Sequence, residues 1–265
     1  MTDNRPPGAN SDPESRAQML RVRLASLARS FDVYWGDAPR NAAMDALYAR
    51  FVSAGDLVFD IGAHVGDRVG SFRRLGARVV ALEPQKDCAR LIREIFEGDA
   101  DVTVVDAACG AEEGQLALHI NSANATVATL SDDFVRAADG AAGWEGQVWD
   151  HSRTVPVTTL DTLIAQHGVP AFTKIDVEGF EAAVLAGLSQ PLPALSFEFT
   201  TIERDVAYRC IERLAELANY RYDLAIGESQ LLTFGVPRSG DELCDYISGL
   251  PHSANSGDVY AIQSE

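Results

Sequence analysis

The chain has 265 residues, with 39 acidic side chains against 22 basic ones and a formal net charge of −17. That excess leaves no basic footprint for a nucleic-acid backbone and is repelled by anionic membrane surfaces, so neither is an expected partner. An apolar fraction of 46% with 23% charged residues is ordinary globular usage, which excludes a disordered chain, and the length suits one large α/β domain with an extension.

Residues 1–15 are polar and proline-bearing, and read as a disordered tail without the apolar centre of a signal peptide. No run approaches the roughly 18 apolar residues of a membrane span. Leu20, Leu24, Leu27 and Phe31 recur at helical spacing, as do Met44, Leu47, Tyr48 and Phe51. They predict amphipathic helices in an N-terminal extension over 16–54, stopped by Gly55. From 55 to 265 the rhythm changes. Short apolar runs at Leu57–Ile61, Arg78–Leu82 and Val102–Asp106 alternate with helical stretches at Asp67–Leu75 and Asp87–Phe96. After an exposed-strand pattern at Gln115–Ile120, alternation resumes with Val155–Val157, a helix over Thr158–Gln166, Phe172–Asp176, a helix over Glu181–Leu188, and Ala194–Phe199. A long helix over Arg204–Ala218 then precedes strands at Tyr220–Ile226 and Asp258–Ile262. Continuous apolar strands alternating with helices predict a doubly wound α/β domain: a parallel sheet covered on both faces, with an antiparallel strand near the end. Four widely spaced cysteines (Cys88, Cys109, Cys210, Cys244) form no CxxC pair and read as buried apolar residues of a cytoplasmic protein.

The first strand runs into Asp60-Ile61-Gly62-Ala63-His64-Val65-Gly66. A dinucleotide turn needs G-x-G-x-x-G, and His64 stands where its second glycine would let a pyrophosphate approach. This disfavours a nicotinamide-dependent oxidoreductase. The turn suits a ligand without phosphate at the switch point of the sheet. Glu83 ends the second strand, placed to accept from ribose hydroxyls, and Asp106 ends the third, placed to accept from an adenine amino group. S-adenosylmethionine meets all three demands: an adenosine, no phosphate, and a cationic sulfonium and ammonium that acidic walls stabilise.

The second half of the site is Lys174-Ile175-Asp176-Val177-Glu178-Gly179-Phe180-Glu181. Strand alternation puts Lys174 and Asp176 on one face. A lysine in an apolar run needs a carboxylate, Asp176 or Glu198, and the chain has only one other lysine, Lys86. Lys174, Asp176 and Glu198 at neighbouring strand ends form a candidate catalytic cluster or a salt bridge bracing two strands.

The DIGAHVG turn, the ALEP strand end, the TLDTLI helix, and above all KIDVEGFE followed by VLAGL resemble the FkbM family of S-adenosylmethionine-dependent methyltransferases. The resemblance covers roughly Gly55 to Phe199. It implies a seven-stranded Rossmann-like methyltransferase fold (class I) and O-methylation of a hydroxyl, often on a sugar or polyketide-type natural product. It places the cofactor against Asp60, Gly62, Ala63, Gly66 and Glu83; His64, where the family usually has asparagine, and Asp176 join them as candidate cofactor residues. Asp176 and Glu178 fall at its acidic fourth-strand end.

On this reading the partner is a small-molecule hydroxyl acceptor, with Asp176 as base or orienting acceptor and Lys174 and Glu198 setting its charge. Alternatively, Asp176, Glu178 and Glu198 hold a divalent cation. A fold that binds S-adenosylmethionine without catalysis, as a subunit or sensor, is the competing class. The segment 121–153 is a candidate substrate lid in which Trp144 and Trp149 either stack on substrate or pin the segment to the core. The oligomeric state stays open, a homodimer being one option.

Overall fold

The computed structural model describes residues 13–264. The expected tail lies outside the described residues as far as residue 12, and residues 13–15 open the first helix. The strands are β1 (Leu57–Ile61), β2 (Arg78–Leu82), β3 (Val102–Val105), β4 (Ala108–Cys109), β5 (Gly114–Ile120), β6 (His151–Thr158), β7 (Phe172–Ile175), β8 (Ala194–Thr200), β9 (Tyr220–Ile226) and β10 (Ser256–Gln263). The helices are α1 (Pro13–Trp35), α2 (Ala38–Tyr48), α3 (Asp67–Arg74), α4 (Lys86–Ile95), α5 (Asp132–Ala138), α6 (Leu160–His167), α7 (Glu181–Ala186), α8 (Arg204–Leu217) and α9 (Gly240–Gly249).

Seven strands form one sheet in the order β3-β2-β1-β7-β8-β10-β9. β10 runs antiparallel to both neighbours and the remaining pairings are parallel. Every residue of β1 and β7 is buried, as a strand covered on both faces requires. Alternation sends Phe59 and Ile61 to a layer formed with α6, α7, α8 and α9, and Val58 to a layer formed with α2 and α3. The chain leaves β1 for β2 on one side and returns to β7 on the other. The connections leaving the carboxyl ends of β1 and β7 therefore part to opposite sides and leave a crevice, the place where open α/β sheets bind ligands.

The stretch around Val155 is not part of that sheet. It extends to the whole of β6, which pairs antiparallel with β5 and parallel with the two-residue β4 in a separate three-stranded sheet. Between β5 and β6, the 121–153 segment carries a short helical turn (Ala125–Val127) and α5. Val127, Phe134 and Trp144 bury against one another there, with Trp149 beside them.

In α1 the apolar spacing is helical, but Leu20 and Leu24 are about half exposed while Ser26 and Ser30 are buried. Polar contacts fix the helix: Ser26 Oγ accepts from the Ala125 N–H, Arg23 pairs with Asp87, and Trp35 Nε1 donates to the Val65 carbonyl. Cys88, Cys109 and Cys210 are buried free thiols. No described helix is long and apolar enough to cross a membrane.

Candidate active site

The turn after β1 uses backbone conformations that few side chains tolerate. Gly62 (φ 86°), His64 (φ 46°) and Gly66 (φ 79°) are all left-handed. At Gly62 an added Cβ would lie 1.9 Å from the carbonyl oxygen of Asp176, because the ends of β1 and β7 are adjacent. Histidine, like the asparagine expected at position 64, is among the non-glycine residues that enter this region most readily. Glu83 ties the turn down by accepting from the backbone N–H groups of His64 and Gln85 at 2.8 and 2.7 Å. Burial nevertheless pushes its carboxyl up to about 8.

Two cavities flank this turn. The first runs over Leu82, Glu83, Ala108, Leu118 and Ala128 at the β1–β2 edge, a mostly apolar slot with Glu83 at its side. The second, of about 280 Å³, is polar and lined by Tyr34, Ala63, Arg68, Trp144, Glu198, Glu228 and Asn255 among others. Gly62, His64, Asp176 and Glu178 line both. His64 is held edge-on by Tyr34 at a ring separation of 5.6 Å, and burial lowers its pKa to about 4, so the imidazole is neutral.

Beneath the shared wall lies Lys174, fully buried. Its Nζ donates to Asp176 Oδ2 at 3.1 Å and to Asp258 Oδ1 at 2.7 Å. Of the two partners the sequence offers the lysine, Asp176 is found, and Asp258, on β10, stands in place of Glu198. Glu198 is its register neighbour on β8 but makes no bond to the lysine. The available signal for Asp258 was an acid opening the apolar run DVYAI. Burial pushes Asp176 up, but the Lys174 ammonium and the Arg68 guanidinium outweigh it and hold the carboxyl below its usual range. Burial pushes Glu178 and Glu198 well above theirs, and the neighbouring acids add to this. Among the described residues, oxygens of Asp176, Glu178 and Glu198 lie within 4.8 Å of one another.

Three expected cofactor residues, Asp106, Asp60 and Gly66, line neither cavity. Asp106 follows β3 on the surface, where Arg93 pairs with it at 2.9 Å, and it lines neither cavity. Asp60 is fully buried beneath the turn, its carboxylate oxygens have no hydrogen-bond partner, and burial raises it to about 7. Alternation along β1 points it at the α2–α3 layer rather than into the crevice. Gly66 starts α3 and lines neither cavity. Residues with no sequence signal also build the second cavity. Arg68 bridges Asp67 and Glu228 at 3.1 Å each, and Arg40 braces the same two acids at 2.9 and 2.8 Å. Trp144 and Trp149 both pack edge-on against Phe134, and Trp149 Nε1 donates to Val127 O. Trp144 also faces the cavity with its Nε1 unbonded.

An apolar slot with Glu83 at its side, and a glycine turn packed directly against the end of β7, fit the adenosine of S-adenosylmethionine. No curated protein matches the chain. Among solved structures it is similar to an O-methyltransferase from Bacillus cereus in complex with SAH, at 11% identity over 96% of this chain and 92% of that one, TM-score 0.47. It is also similar to a TehB-like SAM-dependent methyltransferase from Corynebacterium glutamicum, at 9% identity over 94% and 100%, TM-score 0.46. A third is precorrin-6Y C5,15-methyltransferase from Geobacter metallireducens, at 14% identity over 84% and 87%, TM-score 0.42. The methyltransferase FkbM domain matches residues 60–224, a span that opens on the glycine turn and takes in the lysine and acids of β7 and β8. The chain belongs to the FkbM family of methyltransferases.

Proposed function

We propose that this S-adenosylmethionine-dependent methyltransferase methylates a hydroxyl oxygen of a small molecule, such as a sugar or a natural product. The observation that carries this reading is the shared wall. Gly62, His64, Asp176 and Glu178 border both the apolar slot suited to adenosine and the polar cavity suited to an acceptor. Bound S-adenosylmethionine supplies a methyl on a sulfonium, whose C–S bond breaks as the C–O bond forms, leaving the electron pair on sulfur. The protein's own task is alignment and proton removal. Asp176, kept ionised by Lys174 and Arg68, accepts the hydroxyl proton or orients the hydroxyl as the proton leaves. Neutral His64 sits on the same wall and offers a second acceptor. Trp144 and Tyr34 give the acceptor flat apolar faces.

The experiment has two stages. Calorimetry with S-adenosylmethionine, S-adenosylhomocysteine and NAD should give binding of the first two and none of the third. A screen of glycosides, macrolides and hydroxylated peptides with labelled cofactor should then show a product heavier by one CH2. Binding of NAD alone would overturn the reading.

A further inference from the structure

Asp176, Glu178 and Glu198 approach one another from three supports. Asp176 ends β7, Glu178 lies two residues on in a left-handed conformation (φ 54°), and Glu198 comes from the neighbouring β8. An oxygen of each lies within 4.8 Å of the others. Glu178 is only 8% exposed, and its Oε2, like that of Glu198, is buried without a hydrogen-bond partner. Bare buried carboxylate oxygens are costly. Of the chain's own cations, Lys174 reaches Asp176 but is shared with Asp258 and bonds neither Glu178 nor Glu198, and Arg68 pairs with Asp67 and Glu228. Asn255 presents another unpartnered oxygen, Oδ1, on the same cavity.

We propose that Asp176, Glu178 and Glu198 form a site for one hard divalent cation of the Mg2+, Mn2+ or Ca2+ class. The donors are all oxygen, with no histidine or cysteine among them, which selects hard ions over zinc or copper. Bonds of about 2.1–2.5 Å place ligands on opposite sides of an ion roughly 4–5 Å apart. The observed separations fall within that reach. Three ligands from one wall leave the cavity side of the ion open. Resting on the methyl-transfer reading for its role, the cation favours an acceptor with two neighbouring oxygens, a diol or a hydroxy acid, and makes the attacked hydroxyl more acidic.

The test is a titration of MnCl2 alone into the full-length, cofactor-free protein. It is read by loss of the free-ion paramagnetic resonance signal and by calorimetry, for the wild type, Glu178→Gln and Glu198→Gln. Both substitutions keep side-chain size and remove one charge. One saturable site per chain is expected, displaced by MgCl2 and weakened about tenfold or more in each variant. Absence of saturable binding below about 1 mM, or full affinity in both variants, overturns the proposal. An amine-bearing acceptor that binds where Mn2+ does not gives the cluster to an organic cation and overturns it equally. Cofactor binding without Mn2+ binding removes the site and leaves the transferase reading standing; Mn2+ binding without cofactor binding does the reverse.

Discussion

The ammonium of Lys174 lies 2.7 Å from Asp258, 84 residues away in sequence, and 3.1 Å from Asp176 on its own strand end. One buried cation thus joins β7 to the antiparallel β10 across β8, and fixes the carboxylate that faces both cavities. Lys174→Met should cost about 3–5 kcal/mol at neutral pH, because it strands buried carboxylates. The loss should shrink on acidification as Asp176 takes up a proton. Chemical denaturation at two pH values measures both; equal losses at the two would show that packing, not charge, is what the lysine supplies.

Asp176→Asn keeps the shape of the shared wall and removes its ionised acceptor. Turnover should fall by about 10²–10⁴-fold while S-adenosylmethionine binding stays within a few-fold. Turnover close to wild type with binding intact would move proton removal to His64 or solvent, a choice that His64→Asn then decides.

The strands of the main sheet were legible because each is an apolar run bounded by glycine or a charge; Leu57–Ile61, Arg78–Leu82 and Tyr220–Ile226 fall where the pattern puts them. The pairing of β6 with β5 was not legible, since a strand's partner is a long-range fact that no local period carries. Helix α9 escaped because its stretch is mostly polar, although its Ser239–Glu242 capping box is written in the sequence. In the site, Gly62, Glu83, Asp176, Glu178 and Glu198 were legible as charges and glycines at strand ends. Asp258 and Arg68 were not, because register and packing alone bring Asp258 to Lys174 and Arg68 to the second cavity. Asp106 lies at the surface beside Arg93, and a strand-end acid alone does not distinguish a mouth to solvent from a ligand site.

Gly62→Ala tests whether the crevice depends on a missing side chain. The residue is left-handed, and its new Cβ would meet the Asp176 carbonyl at 1.9 Å, backbone against backbone, with no flexible neighbour to yield. The variant should lose more than about 2 kcal/mol of stability and cofactor binding together. Gly98→Ala, equally left-handed but with nothing within 4 Å of the added Cβ, separates conformational strain from collision. It should lose stability alone, a difference that thermal melting and calorimetry on the two variants would show.

The stability of the ligand-free protein should fall as the pH rises, less steeply below pH 6.5, where His64 offsets one of two acids, than just above it. Burial raises Glu83 from 4.5 to about 8 and Asp60 from 3.8 to about 7, and lowers His64 from 6.5 to about 4. A raised acid keeps its proton in the folded chain after the unfolded chain has lost it. Its contribution is therefore full below the unfolded value and disappears as the pH rises through the folded one. The neutral histidine acts oppositely. Below 6.5 the unfolded chain takes a proton that the folded chain refuses, so its contribution is present above 6.5 and is lost as the pH falls toward 4. The two trends compete between pH 4 and 6.5, and only the acids act above. From pH 6.5 to 8 the melting temperature should fall, at a rate equivalent to about 1.4 kcal/mol per pH unit for each acid still holding its proton. Glu83→Gln should flatten that limb, whereas His64→Asn should leave it unchanged and alter the slope below pH 6.5. Differential scanning fluorimetry across the range, on the three proteins without ligand, reads each slope directly. A melting temperature that climbs from pH 6.5 to 8 would mean that Glu83 is ionised in the empty turn, accepting its two backbone bonds as a carboxylate.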